Sequence, residues 1–145
     1  MSVIHIGSDH AGFQLKSLLA GELAKLGYKV EDHGANSTES CDYPLIARDL
    51  CKAVAADGNL GILICGTGIG MSIAANRNPA IRAALCANEL SARMCRRHNN
   101  ANVLCLGARI IGEELALAIM TAFLESKFEG GRHQRRLDEI GQIKS

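Results

Sequence analysis

Apolar residues along the chain recur with two different periods. Short runs rich in β-branched residues predict buried strands, and they alternate with segments in which apolar residues recur every three or four positions, as on one face of a helix. Strands are predicted at 3–6, 28–30, 60–65, 83–86 and 103–106. Helices are predicted at 13–26, 45–55, 89–97 and 112–124, with a short amphipathic helix after the basic turn at 130–136. Alternation of strand and helix is typical of βαβ units, so the sequence predicts an α/β fold with a five-stranded parallel sheet.

Length and composition indicate one globular domain. The 145 residues suffice for one domain with a core and are too few for two ordinary ones, so we expect a single domain over 1–145. Apolar residues make up 48% and charged residues 21%, which argues against a disordered or fibrous protein. The net charge of +1 provides no bulk field for nucleic acid or an acidic membrane. Apolar runs are far shorter than the roughly 20 residues that span a bilayer, so no membrane segment is expected.

The six cysteines bear on compartment and metal binding. The sequence opens without the basic and apolar regions of a secretory signal, so we expect free thiols in a reducing compartment and a cytoplasmic protein. No pair has C-x-x-C spacing, and Cys86 and Cys105 lie in apolar runs, where cysteine acts as a small hydrophobic residue. The sequence therefore predicts no metal site.

Side chains that directly follow a predicted strand are the first candidates for a site, because ligands of open α/β sheets bind beyond the carboxyl ends of the strands. After the first strand, Asp9 and His10 place a carboxylate next to an imidazole at the start of a helix. Asp9 alone is explained equally well as a helix cap. The adjacent His10 favours a functional role for the pair.

The glycine-rich loop after the third strand is the most informative part of the sequence. Gly66, Gly68 and Gly70 let the backbone approach a ligand, and its N–H groups together with the following helix can bind an anion or a developing oxyanion. The G-x-G-x-G spacing differs from the G-x-G-x-x-G of dinucleotide-binding folds, which weakens a nucleotide-binding interpretation. Cys65 lies at the strand end, where a helix N-terminus favours the thiolate, so it is a candidate base or nucleophile. Considered alone, a cysteine there is more often a packing residue.

Basic and amide side chains supply the remaining candidates. His98 and Asn99 precede the fifth strand, and His98 can act as an acid or a base near neutral pH, with an exposed helix C-cap as the alternative. Arg109 follows the fifth strand, and Arg132 and Arg136 lie in the tail. Arginine binds phosphate bidentately, so these three are candidate phosphate contacts. An ordinary solvated charge run is the default explanation of the tail cluster when it is considered alone.

Together these elements resemble the type B ribose-5-phosphate isomerases, within a wider family that includes galactose-6-phosphate isomerase subunits. The similarity covers nearly the whole chain. The matching segments are GSDHAGF at 7–13, DYP at 42–44, GILICGTGIGMS at 61–72, AAN at 74–76, RRHN at 96–99, NVL at 102–104 and EGGRH at 129–133. Their ordered combination is far more specific than any one of them.

The resemblance implies both an architecture and a reaction. The fold would be a Rossmann-like three-layer sandwich whose C-terminal helix packs on a partner chain. The chain would form a homodimer, or a dimer of dimers, with active sites shared between subunits. The reaction would interconvert D-ribose 5-phosphate and D-ribulose 5-phosphate through a cis-enediolate after the furanose ring opens, as a step of the pentose phosphate pathway and without a metal or other cofactor.

The resemblance also implies roles for individual residues. Cys65 would move the proton between C1 and C2, and Thr67 would help the loop amides to stabilise the enediolate. Asp9 and the partner's His98 would open the ring. The implied substrate-binding residues are His10, Tyr43, Gly66, Gly68, Ile69, Gly70, Asn99, Arg109, Arg132 and Arg136. Some members of the family use a glutamate instead of the cysteine, and Met71 stands where that glutamate would fall, so the cysteine version is implied here.

Two alternatives remain open at the level of sequence. The first is the same chemistry on a six-carbon sugar phosphate such as galactose 6-phosphate or allose 6-phosphate. The second is a non-catalytic regulator that binds a phosphosugar or a nucleotide, since function is not determined by fold. A regulator would have no need for Asp9, Cys65, Thr67 and His98 together.

Overall fold

The computed structural model describes residues 2–144. Five strands are present: β1 (Val3–Ser8), β2 (Lys29–Asp32), β3 (Leu60–Cys65), β4 (Ala83–Leu85) and β5 (Val103–Gly107). Six α-helices accompany them: α1 (Phe13–Lys25), α2 (Tyr43–Asp57), α3 (Ile69–Ala75), α4 (Glu89–Arg97), α5 (Glu113–Glu125) and α6 (Arg132–Gly141). A single 3₁₀ turn, His10–Gly12, connects β1 to α1. The predicted α/β class and the predicted sheet are therefore confirmed.

The five strands form one parallel sheet in the order β2-β1-β3-β5-β4. Alternate side chains of each central strand belong to different cores, as the pleat of a strand requires. Six of them pack against α1, α4 and α5: Ile4, Ile6, Ile62, Ile64, Leu104 and Leu106. Four pack against α2 and α3: Leu63, Cys65, Val103 and Cys105. Helices thus cover both faces of the sheet, in the three-layer arrangement that was predicted.

Two glycines let α2 lie directly on the strands. A Cβ atom on Gly7 in β1 would lie 2.9 Å from Cγ2 of Ile46, and one on Gly61 in β3 would lie 2.8 Å from Cδ2 of Leu50. Real Cβ atoms essentially never approach another heavy atom so closely, so a larger residue at either position would move the helix. The glycines therefore set the distance between α2 and the sheet.

The connections after β1 and β3 diverge and open a crevice between them. The chain passes from β1 to α1 on one face of the sheet and from β3 to α3 on the other face. In open α/β sheets this switch point, at the carboxyl ends of the strands, is where ligands bind. Asp9 follows β1, and the glycine-rich loop follows β3, so the crevice lies between the two candidate segments.

The observed elements differ from the predicted ones mainly at their ends. β2 was predicted at 28–30 but runs through Glu31 and Asp32, because its hydrogen bonds continue into charged positions at the edge of the sheet. α2 begins at Tyr43, two residues before its first predicted position, with Pro44 in the first turn, where proline is favoured. Among the helices of residues 2–144, none combines the length and apolarity needed to cross a membrane. Packing of α6 on a partner chain stays a prediction.

Candidate active site

Asp9 and His10 organise the segment that follows β1. The Asp9 carboxylate accepts a hydrogen bond from the N–H of Gly12 at 3.1 Å, so it does cap the 3₁₀ turn, as the alternative interpretation proposed. Its side chain is nevertheless at the edge of the crevice, since the N–H of Asp9 donates to the carbonyl of Ile64 at 3.1 Å. His10 Nδ1 accepts a hydrogen bond from the N–H of Cys41 at 3.3 Å, which ties the loop before α2 to the same place.

Cys65 ends β3 and turns its sulfur into the glycine-rich loop. Sγ accepts a hydrogen bond from the N–H of Gly68 at 3.1 Å, and the residue is 6% exposed. Gly68 has φ +80°, and a Cβ atom there would lie 2.5 Å from Leu85 and 2.9 Å from the backbone of Leu106. Glycine is therefore required at position 68 for the loop to fold back on the thiol. The amide hydrogen bond holds the sulfur inside the loop, at the carboxyl end of β3.

The other five cysteines are free thiols, like Cys65, but they differ in surroundings. Burial raises the pKa of Cys51 to about 11 and also raises the pKa of Cys105. Cys86 is buried as well, so it and Cys105 pack as the small hydrophobic residues that the sequence indicated. Cys41 is partly exposed, in the loop that contacts His10.

Arg109 and Tyr43 border the loop from outside, and the Thr67 side chain lies within it. Arg109 lies over Gly66, with Nη1 3.0 Å from the position that a Cβ on this glycine would occupy. The backbone N–H of Arg109 donates to the Gly66 carbonyl at 2.9 Å. The ring of Tyr43 lies 2.6 Å from the corresponding Cβ position at Gly70. The Thr67 hydroxyl accepts from the N–H of Ile69 at 3.2 Å. The loop is thus bordered by one cation and one phenol, at glycines that leave room for both.

A second set of candidates lies at the end of α4. His98 is the C-cap of α4, and its ring stacks on that of His133 with 4.3 Å between centroids. Glu129 lies between them, 3.8 Å from His98 Nε2 and 3.5 Å from His133 Nε2, and it accepts a 2.6 Å hydrogen bond from Arg97. The bond from Arg97 lowers the pKa of Glu129, while burial and the neighbouring His98 lower the pKa of His133.

Asn99 faces a groove between α6 and the α3–β4 connection. The groove has a volume of about 990 Å³ and is lined on one side by Asn76, Arg77 and Pro79 and on the other by Gln134 and Leu137. Arg132 and Arg136 lie on α6. The segment that leads into α6 is bonded to the end of α4, because the N–H of Glu129 donates to the carbonyl of Arg97 at 3.0 Å.

The two sets lie at opposite edges of the sheet. Cys65 pairs with Gly107 at the carboxyl end of β5, whereas His98 comes between α4 and Val103, where β5 begins. At about 3.3 Å per residue, the length of β5 alone separates the end of the strand near Cys65 from the end near His98 by about 13 Å. One chain therefore brings together Asp9, His10, Tyr43, Arg109 and the loop at 65–70, and it does not bring His98, Asn99, Arg132 or Arg136 to them.

Glu129 is a further polar residue that the sequence analysis did not single out. It accepts a hydrogen bond from Arg97 and lies within 4 Å of the imidazoles of His98 and His133. The sequence did contain a sign of this contact, because Glu129 and His133 are four positions apart in the matching segment EGGRH. Without the fold, nothing linked that segment to His98.

Comparison with known proteins gives consistent matches over the whole fold. The sequence model of a family described as Ribose/Galactose Isomerase matches residues 4–140. Ribose-5-phosphate isomerase B of Escherichia coli K12 is 47% identical over 146 residues, which covers 99% of this chain and 97% of the relative. The ribose-5-phosphate isomerase B structure from Clostridium thermocellum superposes with a TM-score of 0.96 at 50% identity, covering 97% of this chain and 96% of that one. That from Mycoplasma genitalium, with bound ribulose 5-phosphate, gives 0.93 at 42% identity and covers 97% and 94%.

Proposed function

This chain belongs to the ribose/galactose isomerase family, and on that premise we infer that it is an aldose–ketose isomerase that interconverts D-ribose 5-phosphate and D-ribulose 5-phosphate. Support for the five-carbon substrate comes from the E. coli relative and from the M. genitalium structure with ribulose 5-phosphate. The observation that carries the proposal is Cys65, whose sulfur accepts an amide hydrogen bond in a glycine loop at the crevice.

In the proposed reaction, the Cys65 thiolate removes the proton from C2 of the open-chain aldose and returns it to C1. The intermediate cis-enediolate has negative charge on adjacent oxygens. The Thr67 hydroxyl donates a hydrogen bond to that charge, as do N–H groups of the loop at 66–70 other than those of Gly68 and Ile69, which bind Cys65 Sγ and Thr67 Oγ1. Loss of one such preorganised donor typically lowers kcat by about 10² to 10³. The loop therefore performs the electrostatic stabilisation that other isomerases obtain from a metal ion.

Ring opening precedes the proton transfer and uses an acid and a base. We assign these roles to Asp9 of one chain and to the partner's His98. Asp9 lies beside the end of β3, because its backbone N–H donates to the carbonyl of Ile64, the residue before Cys65. Ring opening and isomerisation then occur in one crevice, without movement of the substrate between sites.

Phosphate binding is assigned to His10 and Arg109 at the crevice and to Arg132 and Arg136 of the partner subunit. Tyr43 and the partner's Asn99 line the sugar. Arginine suits this task because its planar guanidinium donates two parallel hydrogen bonds to phosphate. Arg109 is already held over the loop through its backbone bond to Gly66.

The separation of the two sets supports a homodimer with shared sites. Residues at opposite edges of one sheet cannot reach one small sugar phosphate, but a two-fold axis brings the amino edge of one chain to the carboxyl edge of the other, twice. We therefore propose a homodimer of 1–145 chains, each one isomerase domain. The free state of all six cysteines supports a cytoplasmic location.

Turnover of matched substrates tests the proposal. The purified protein should convert ribose 5-phosphate with a higher kcat/KM than allose 6-phosphate or galactose 6-phosphate. Cys65→Ala, purified identically, serves as the blank for isomerase carried over from the expression host. Preference for a six-carbon substrate would reassign the substrate, and binding without turnover of any of them would favour a regulator.

A further inference from the structure

Another group of histidines and carboxylates lies on the face of the sheet that α2 covers, away from the glycine-rich loop. His5 in β1, Glu31 in β2 and His33 just after β2 each offer one ligand atom, and these atoms lie within 4.8 Å of one another. His5 is 1% exposed. We call these three residues the His5 cluster.

Strand register brings the His5 cluster together. His5 pairs with Glu31 in the parallel ladder, so their side chains point to the same face. His33 is two positions beyond Glu31, and its N–H continues the ladder by donating to the carbonyl of Ile6 at 2.8 Å. Residues two apart on a strand share a face, whereas Asp32 between them turns to the opposite face and binds Lys16.

Asp57, at the end of α2, orients the His5 ring and sets the tautomer of its neutral form. Its Oδ2 lies 2.7 Å from His5 Nε2, and its Oδ1 accepts from the N–H of Asn59 at 2.9 Å. A carboxylate only accepts hydrogen bonds, so the proton of a neutral His5 is on Nε2 and the lone pair is on Nδ1. A carboxylate bonded to the far nitrogen of an imidazole is the usual support of a metal-binding histidine.

The lone pair on Nδ1 faces two further ligand atoms. His33 Nε2 lies 2.9 Å from it and Glu31 Oε2 lies 3.4 Å from it. One proton between the two imidazoles makes the hydrogen bond between their nitrogens, and the Glu31 carboxylate then lies beside Nδ1 without a donor between them. Ligands on one tetrahedral zinc ion, at about 2.0–2.1 Å from the metal, lie about 3.3 Å apart, so the observed separations are close to those of a metal site.

We propose that His5 Nδ1, His33 Nε2 and Glu31 Oε2 bind a divalent transition-metal ion such as Zn²⁺, with water as the fourth ligand. Two imidazoles and one carboxylate suit zinc, cobalt or nickel and do not suit Mg²⁺ or Ca²⁺, which prefer oxygen.

The ion is structural and has no part in isomerisation. His5 is opposite Gly61 in β3, and Cys65 is about 13 Å further along that strand. The ion connects β1 to the edge strand β2 and, through Asp57, to the end of α2. An ion that binds only the folded chain stabilises it by mass action, so metal should raise the melting temperature and leave the isomerase rate unchanged.

Metal titration of the chelator-treated, desalted protein tests the site. Calorimetry with Zn²⁺ should give one tight site per chain through the His5 cluster, and Co²⁺ should give the intense visible absorption of a tetrahedral complex. Free metal at 100 times Kd should raise Tm by about 5 °C or more. Mg²⁺ should have no effect.

Variants identify the ligands. His33→Gln and Glu31→Gln should abolish tight binding, and Asp57→Asn should weaken it about 10- to 100-fold, because Asp57 only orients His5. His133→Gln is the matched control, because it disrupts the other histidine–carboxylate group of similar geometry and should leave the tight site intact. His33 is only partly buried, so its variant should fold, and circular dichroism checks this.

Two outcomes overturn the proposal. Tight binding that survives His33→Gln and is lost in His133→Gln assigns the ion to the group around His98. Absence of tight binding to the wild-type chain means that the proton shared by His5 and His33 holds the cluster together without a metal. Since neither outcome concerns turnover of sugar phosphates, failure here is distinguishable from failure of the proposed function.

Discussion

Subunit complementation tests the division of the active site between two chains. The two variants are Cys65→Ala, at the carboxyl edge of the sheet, and His98→Asn, at the amino edge. Each homodimer should lose most activity, since removing a general acid or base typically lowers the rate by about 10² to 10⁴. The two purified variants are then unfolded together, refolded and assayed with ribose 5-phosphate.

The expected recovery follows from the geometry. If Cys65 of one chain works with the partner's His98, a hybrid dimer contains one site with both substitutions and one site with neither. Random reassortment makes about half of the dimers hybrids, so about a quarter of all sites regain full activity. That signal is far above the residual activity of either parent.

The structure supplies a matched negative control. Asp9 and Cys65 lie at the same edge of the same chain, on either side of the crevice. In a hybrid of Cys65→Ala and Asp9→Asn, each site therefore has one defect, and no activity should return. Parental activity in the Cys65–His98 mixture, with chain exchange verified by mass spectrometry, would refute the shared site. Recovery in the Cys65–Asp9 mixture would refute the assignment of those two residues to one site.

Four further outcomes are expected. The Cys41→Ser variant lacks the partly exposed thiol, and alkylation of this variant should inactivate the enzyme through Cys65 unless a substrate analogue is bound. Full activity of Cys65→Ala would contradict the role of Cys65 as the base. Prolonged chelation should lower Tm without changing kcat, and a rate restored by one divalent ion would contradict metal-free catalysis. Gly68→Ala should lower the free energy of unfolding by about 2–4 kcal/mol, through backbone strain plus overpacking, and should reduce kcat. Gly58→Ala is the matched control, because Gly58 has φ +75° but no atom within 4 Å of the Cβ position. Urea unfolding should show a loss of only about 1–2 kcal/mol for this control. In the metal-free protein, burial and the neighbouring His5 lower the pKa of His33 below 6.5, so the unfolded chain binds more protons than the folded chain as the pH falls below that value. The free energy of unfolding should therefore decrease as the pH falls through about 6.5, and the slope should be smaller in His33→Gln.

Periodicity predicted the elements well because burial determines them. β3 and β5 are almost fully buried, and their apolar runs end within a residue of the observed strands. β2 was placed two residues too early at its end because an edge strand needs no apolar side chains, and Glu31 and Asp32 resembled a loop. Strand ends also predicted Asp9, Cys65 and Arg109 as site residues, since the switch-point rule applies to any open parallel sheet.

Contacts between distant segments could not be predicted from the sequence. The spacing argument against a metal site considered residues close together in the chain, but His5 and Glu31 become neighbours only through the β1–β2 register. The separation of His98 from Cys65 likewise depends on α4 running back to the amino edge of the sheet. For both sites, pairing and direction of the strands decide which side chains meet.

The close contact of α2 with Gly7 and Gly61 has a consequence for how the chain tolerates change. With 15 residues, α2 is about 22 Å long, and its first residue, Tyr43, lies against the glycine-rich loop while its last, Asp57, binds His5. A side chain at either glycine would displace α2 from the sheet. The contacts of Tyr43 and of Asp57, at the two ends of the helix, would then both be disturbed, far from the substituted position. Two residues without side chains thus align the tyrosine of one site and the aspartate of the other, and neither would be found in a survey of side-chain contacts.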